Sequence, residues 1–494
     1  PVTIPAWPAM FTGKNPGKLG IFSLLKEDNR RFRPINSNDC DGRRMWSYMS
    51  DKGIRSAIIN VPATYPPDKI NGIMVAGLGA DINGEYTYPA ELKQEINQIV
   101  DDYEIDFYGF HRSRIDRFLD MLYKRTEKRK RLIMELLERK EWDFGFVVFT
   151  GSDRIQHYMW DTYEKEHPLH EKGHEDDMPR YWEHLDRTVG DILKRHAKDA
   201  NVLIVSDHGF HGMRGRFNVN DWLIKEGYLV VRKKKNRKVN AKNFGITKDR
   251  AKAIMWKMNM QKFRKKIPGF IAGRIEKALK EQSDETEIDK ADIDWEKTTA
   301  YSFDYVGGIM IRDDLKENEK ERIRQEIVKK MPMIDNPLTG KKLSVRFFDP
   351  REVYSGEHVS EAPDIMFFVE ALRYTTQVSI GHKDIIEPLT PDKPSNATHN
   401  MNGIFIAHGP DIAVGKEIAN ARITDIAPTV LHMFSLPIPD DMDGKVLDIF
   451  RKGSGPGKRK PARYKAEKHA GERTHKGTGD EEKMKQRLKE LGYM

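Results

Sequence analysis

The apolar positions of this chain change period several times, and each change predicts an element. Residues 144–150, FGFVVFT, and the NVLIV that opens NVLIVSDHGFH at residue 201 are nearly unbroken apolar runs. Such runs mark strands buried on both faces. A helical pattern lies ahead of each. From Ile115 to Arg139, Phe118, Met121, Leu122, Leu132, Leu136 and Leu137 recur at roughly helical spacing among many charges. Over 181–196, Trp182, Leu185, Val189, Ile192 and Leu193 share one side of a second amphipathic helix. Helix then apolar strand, twice over, predicts parallel strands joined by crossover helices, and so an α/β protein. IRSAIINVP at 54–62 and GIMVAGLG at 72–79 add two candidate strands.

The opening stretch, TIPAWPAMFTGKNPGKLG, predicts a short helix entered at Thr3 and closed by Gly13, with its prolines early, where a missing N–H costs least. Beyond residue 300, VGGIMIRDD, NEKERIRQEIVKKM, LSVRFFDP and APDIMFFVE read as strand, helix, strand, strand. The main sheet resumes at GIFIAHG, 403–409, followed by a helix over 424–434. The chain therefore divides into four parts: a first core part over 1–232; a basic helical insertion or cap over 233–300; a small strand-rich subdomain over 301–450, returning to the core at about 395–450; and a disordered basic linker with a short C-terminal helix over 451–494.

Charge is unevenly placed. The net charge is +9, yet residues 231–280 alone hold 18 Lys or Arg against Asp249 and Glu276, so the remainder is net acidic. This segment has two readings. It contacts nucleic acid, an anionic membrane surface or a polyphosphorylated substrate, or it is a solvated lysine-rich face with Met255, Trp256, Met258 and Met260 packing the cap. No apolar stretch approaches the ~20 residues a membrane helix needs. A single cysteine, Cys40, excludes an intramolecular disulfide and fits a reducing compartment, so a cytoplasmic location is expected. Pro1 stands where a native start has Met, and the expectation is that the native N-terminus lies upstream. Oligomeric state has no signature in the pattern.

Four regions carry chemistry. Thr3 begins a helix; Asp153 and His157, in DRIQH, follow one strand; Asp207 and His208, in SDHG, follow another; His399, in THNMNG, precedes a third. Carboxyl ends of strands line the ligand crevice of α/β proteins. Asp153 and His157 are four residues apart, so on a first helical turn they share a face and can ligate one ion. Two divalent ions about 4 Å apart can hold both the attacking and the leaving oxygen of a displacement at phosphorus. A threonine alcohol needs such an ion to become a nucleophile, and a helix N-terminus favours a phosphate oxygen beside it. Each residue also has a plainer role: Asp153 as a helix cap, His157 as a partner of Tyr158 or Trp160, His399 as a loop histidine making one hydrogen bond. His167, His170 and His174 sit at irregular spacing in a charged stretch and read as a solvated surface rather than a third metal site.

With TIPAWPAMFTGKNPGKLGIF, DRIQH, SDHG, APDI and THNMNGIFIAHGP all present in order, followed by TDIAPTVLHMFSLPIPDDMDGKVL, the chain resembles the alkaline phosphatase superfamily. Within it, the resemblance is to the type I phosphodiesterase/nucleotide pyrophosphatase group. The likeness runs from Thr3 to about Phe450, with no counterpart for 233–300. It implies a three-layer sandwich around a mostly parallel central sheet, with a small cap. It also implies that Thr3 is the nucleophile and forms a phospho-threonine, that Asp153, His157 and His399 hold one ion, and that Asp207 and His208 hold the other. The ions are two divalent cations, zinc in this family, with manganese the alternative, and the substrate is a small phosphate ester such as a nucleotide.

Two features depart from the pattern. The family has one further aspartate, a ligand of the second ion, at the end of a strand upstream of the nucleophile, and Leu19 stands where relatives commonly have histidine. Other readings of the same residues are a phosphomonoesterase, a phosphoglycerate mutase-like enzyme of the superfamily, and a degenerate binding protein that works through its basic insertion. A sulfatase is disfavoured, because its formylglycine needs Cys or Ser where Thr3 stands.

Overall fold

The computed structural model describes residues 2–28, 30–107, 110–232, 286–288, 291–305, 307–391, 393, 395–466 and 484–485. Of the expected basic insertion over 233–300, residues 233–285, 289 and 290, with Met255, Trp256, Met258 and Met260 among them, lie outside these residues, as does nearly all of the expected C-terminal helix.

Helix α1, Thr3–Thr12, follows Val2, whose backbone is extended, and stops at Gly13, where a φ of 70° lets the N–H turn back to Ala9 O at 3.0 Å. Pro8 lies inside this helix and not at its start. Its ring costs one N–H, yet nine of the ten residues are buried, so packing outweighs propensity.

Strand β1, Ser56–Val61, is buried at every position. It pairs in parallel with β2, Gly72–Ala76, whose other side carries a short antiparallel edge strand, β3, Thr87–Tyr88. The long helix α2 spans Ile115–Arg139 and leads to β4, Phe144–Val147, parallel to β1 on its other side. This sheet therefore runs β3-β2-β1-β4. Alternate side chains serve two cores. Ile58, Val61 and Met74 join Ile4, Trp7 and Phe11 of α1, while Ala57, Ile59, Ile73 and Val75 join Leu132, Ile133, Leu136 and Leu137 of α2. Helices cover both faces of β1 and β2 and bury them, whereas β4, expected to be buried on both faces, is half-buried with Gly145 exposed, because it borders a cavity.

Next come α3, Gly151–Tyr163, α4, Asp177–His196, β5, Val202–Val205, β6, Gly209–Gly212, and β7, Gly215–Asn218. A second, antiparallel sheet is built from β8, Ala300–Asp304, β9, Gly308–Ile311, β10, Val345–Phe348, and β11, Ile365–Val369, in the order β8-β9-β11-β10. Between β9 and β10 the helix α5, Glu317–Lys330, adds Ile323 and Ile327 to a core shared with Phe217 of β7. The chain returns through β12, Tyr374–Gln377, parallel to β7, then β13, Ala397–Asn400, antiparallel to β6, and β14, Phe405–His408, before α6, Ile426–Met433.

Across the described residues the architecture is α/β with mixed sheets. β14, where the main sheet is expected to resume, pairs with β5 and runs antiparallel to it. Alternation of apolar residues reports burial and not strand direction, so the pattern leaves this open. Residues 451–466, inside the stretch expected as a linker, fold back. Gly455–Lys458 forms a helical turn, and Arg463–Tyr464 pairs with Ile438–Pro439, so backbone pairing anchors what apolar side chains do not.

A cavity of about 680 Å³ is lined by Phe144–Val148 on one side and Val202–Val205 on the other, with Trp7 among its walls. Among the described residues, β4 pairs with β1 and β5 pairs with β14. Thr3, Asp153 and Asp207 border the same cavity.

Candidate metal centre and active site

The site lies where β4 and β5 end. After β4, the chain enters α3, which puts Asp153 in the first turn and His157 one turn later on the same side. His157 is buried, and its Nδ1–H donates to Ala397 O at 3.3 Å, with Ser395 Oγ 3.0 Å away. That contact turns Nε2 toward the site in the form that can ligate. Burial lowers the pKa of His157 to about 4, against the opposing charge of Asp153, so the ring is neutral at pH 7.

After β5, the chain turns at Asp207-His208 into β6. His208 Nδ1–H donates to Gly209 O at 3.1 Å and leaves Nε2 facing Thr3 Oγ1 at 3.2 Å. A glycine follows this pair for a steric reason: a Cβ on Gly209 would lie 2.0 Å from the Asn402 carbonyl oxygen. Asp207 has its pKa raised, by burial first and by Asp153 as well, with His208 opposing. His399 precedes β14 as expected, and itself lies within β13, opposite Phe210 of β6, where its ring stacks on His208 with centroids 3.7 Å apart.

All six residues singled out in the sequence converge. His157 Nε2 is 3.2 Å from His399 Nε2 and 3.7 Å from Asp153 Oδ1; His208 Nε2 is 3.8 Å from Asp153 Oδ1 and 3.3 Å from Asp207 Oδ2. Imidazole nitrogens and carboxylate oxygens so spaced fit divalent cations, since donors about 2.0–2.1 Å from a tetrahedral ion lie roughly 3.3 Å apart. Asp153, His208 and His399 each offer one donor atom within 4.8 Å of the others. That set crosses the expected division, which places His208 with Asp207 and apart from Asp153 and His399.

Around Asp153 the structure adds residues that the sequence does not single out. Arg154, almost fully buried, donates from Nη1 to Asp153 Oδ2 at 2.7 Å, and from Nε and Nη2 to Asp106. A charged residue inside DRIQH was visible in the sequence, but Asp106 is 48 positions upstream and carries no motif. The histidines of 167–174 each have a separate partner: His167 Nε2–H donates to Asn396 O at 2.9 Å, His170 bonds Asp161 O, and His174 lies against Asp177. His167 is buried, contrary to the solvated reading, because it pins the loop that carries Ser395 and Asn396.

Residues 1–269 match the family model for type I phosphodiesterase / nucleotide pyrophosphatase. The chain belongs to that family. Membership makes it a hydrolase of phosphate esters, in a family that is typically metal-dependent. No curated protein matches the chain. Among solved structures, murine ectonucleotide pyrophosphatase / phosphodiesterase 5 is similar at 13% identity and a TM-score of 0.47, covering 91% of this chain and 88% of its own. No helix among the described residues is long and apolar enough to cross a membrane.

Proposed function

We propose that this phosphodiesterase-family chain cleaves small phosphate esters, nucleotide-like ones included, with Thr3 as nucleophile and two divalent cations, zinc foremost, held by Asp153, His157, His399, Asp207 and His208. The observation that carries the reading is the buried Thr3 hydroxyl, 3.2 Å from His208 Nε2 inside a ring of carboxylate and imidazole donors. Because His208 Nδ1 is occupied by a carbonyl, Nε2 accepts the threonine hydrogen bond and fixes where the oxygen sits. Cations bound at these donors would lower the pKa of the hydroxyl and neutralise charge on the phosphoryl group. Thr3 Oγ1 attacks phosphorus, the P–O bond to the departing alcohol or phosphate breaks, and phospho-threonine remains. Water then attacks that phosphorus, releasing phosphate or its monoester and restoring the alcohol. The N-terminus of α1 presents its N–H groups to the phosphoryl oxygens.

The finer fold reading is proposed from the cavity. One mostly parallel sheet within a three-layer sandwich would have β4 and β5 as members separated by one strand's width. An inserted strand would end beside Asp153 and Asp207, at the mouth where α1 begins, and could bring the further aspartate of the family pattern. Joining an apolar strand of about five or six residues, ending in aspartate, ahead of Pro1 is expected to raise the melting temperature by at least about 5 °C and to increase bound zinc. Differential scanning calorimetry with metal analysis checks this; unchanged melting would show that the cleft takes no strand.

A panel of phosphate mono- and diesters assayed at saturating zinc tests the function. Hydrolysis of at least one ester class, reduced at least about 100-fold by Asp153→Ala, is the expected result. Failure to hydrolyse any ester would overturn the reading in favour of a degenerate binder.

A further inference from the structure

We infer that Arg154 and Asp106 are positioning residues that hold the Asp153 carboxylate so that one oxygen is committed to the protein and the other to the cation. This rests on the metal-site reading above. Adjacent residues of a helix point about 100° apart and do not normally meet. Arg154 nevertheless reaches back, and its Nη1 takes Asp153 Oδ2 at 2.7 Å. The rest of the guanidinium forks onto Asp106, Nε to Oδ1 at 3.0 Å and Nη2 to Oδ2 at 2.7 Å. Asp106 is held in turn by the Phe107 N–H at 2.7 Å and Thr150 Oγ1 at 3.2 Å, both donating to Oδ1. Thr150 lies three residues past the end of β4 and immediately precedes α3, so the chain of bonds ties the segment before α2 to the first turn of the site helix.

The outcome is visible at Asp153. With Oδ2 engaged, Oδ1 is the oxygen that faces His157 Nε2 at 3.7 Å and His208 Nε2 at 3.8 Å. The side chains of Arg154 and Asp106 are 1% and 0% exposed. An apolar cluster of equal volume would join the two segments without the desolvation cost of a buried ion pair. It would not select which carboxylate oxygen turns inward. The charges matter as well. Asp106, Arg154 and Asp153 together carry −1, so Asp106 offsets the guanidinium that would otherwise draw Asp153 away from a cation. Fork geometry requires arginine: a lysine ammonium in the same place serves one carboxylate at a time.

The test measures zinc affinity by chelator competition, alongside circular dichroism and melting of the metal-free protein, so that binding is read separately from turnover. Arg154→Lys keeps the charge and removes the fork. The double variant D106N/R154Q keeps the total of −1 and removes both the ion pair and the fork. Each is expected to weaken zinc binding about 10- to 100-fold at temperatures where the metal-free variant is fully folded. Thr150→Val, a milder change at the outer end of the chain of bonds, is expected to weaken it a few-fold and keeps the inference testable if the other variants do not fold. Asp153→Ala separates the two levels. If it leaves zinc affinity unchanged, the metal-site reading itself fails. If it weakens binding while the folded Arg154, double and Thr150 variants all bind zinc like the wild type, only the positioning role is overturned.

Discussion

Thr3→Ala lowers kcat on any accepted phosphate ester by at least about 10⁴-fold, with substrate affinity close to that of the wild type, as expected when the group removed forms its bond only in the chemical step. The change is small in every other respect. Thr3 is buried at the start of α1, where its side chain contributes a hydroxyl 3.2 Å from His208 Nε2, and alanine is a strong helix former that leaves the backbone of the first turn intact. Quenched-flow kinetics measures the loss. Mass spectrometry of acid-quenched wild type checks the chemistry, since a phosphoryl adduct on the peptide containing Thr3 is expected in the wild type and absent from the variant. Near-wild-type hydrolysis by the variant would place the nucleophile elsewhere.

Removal of divalent metal is expected to have an effect of similar size. A chelator reduces hydrolysis by at least about 100-fold, and zinc, or less fully manganese, restores it. The donor set explains the direction. Carboxylates of Asp153 and Asp207 and the rings of His157, His208 and His399 lie within a few ångströms of one another, with His208 and His399 stacked at 3.7 Å. Without a cation, the negative charge of Asp153 and burial both push the Asp207 carboxyl toward its protonated form. A bound ion removes that conflict. It also stabilises the fold by linkage, about 2.7 kcal/mol when free zinc is 100 times its dissociation constant. Calorimetry with and without zinc reads that shift, and activity indifferent to chelation would exclude a metal mechanism.

Local chemistry was legible in the sequence because it depends on spacing alone. The bounds Ile115–Arg139 follow from helical periodicity among charges, and the start of α1 at Thr3 and its stop at Gly13 follow from where a left-handed residue is cheap. Asp153 and His157 share a face because four residues make about one helical turn. The two apolar runs before the Asp-containing clusters marked strand ends, and strand ends are where α/β proteins gather ligands. That Thr3, Asp207, His208 and His399 belong together came from motif order, a resemblance rather than a consequence of pattern.

What tertiary structure alone decided involves residues far apart in the chain. Strand direction is one case: β14 returns antiparallel to β5 because apolar alternation is the same whichever way a strand runs. The buried state of His167 is another, set by a carbonyl at Asn396, 229 residues away, in a stretch that reads as solvated from its charged neighbours. The grouping of Asp153 with His208 and His399 depends on how β6, β13 and α3 pack, and no spacing encodes it. Asp106 meets Arg154 only because the segment before α2 folds against the start of α3, where a buried guanidinium must find its counter-charge. Periodicity reports which side of an element is dry; which distant polar group meets it there is settled only when the elements pack.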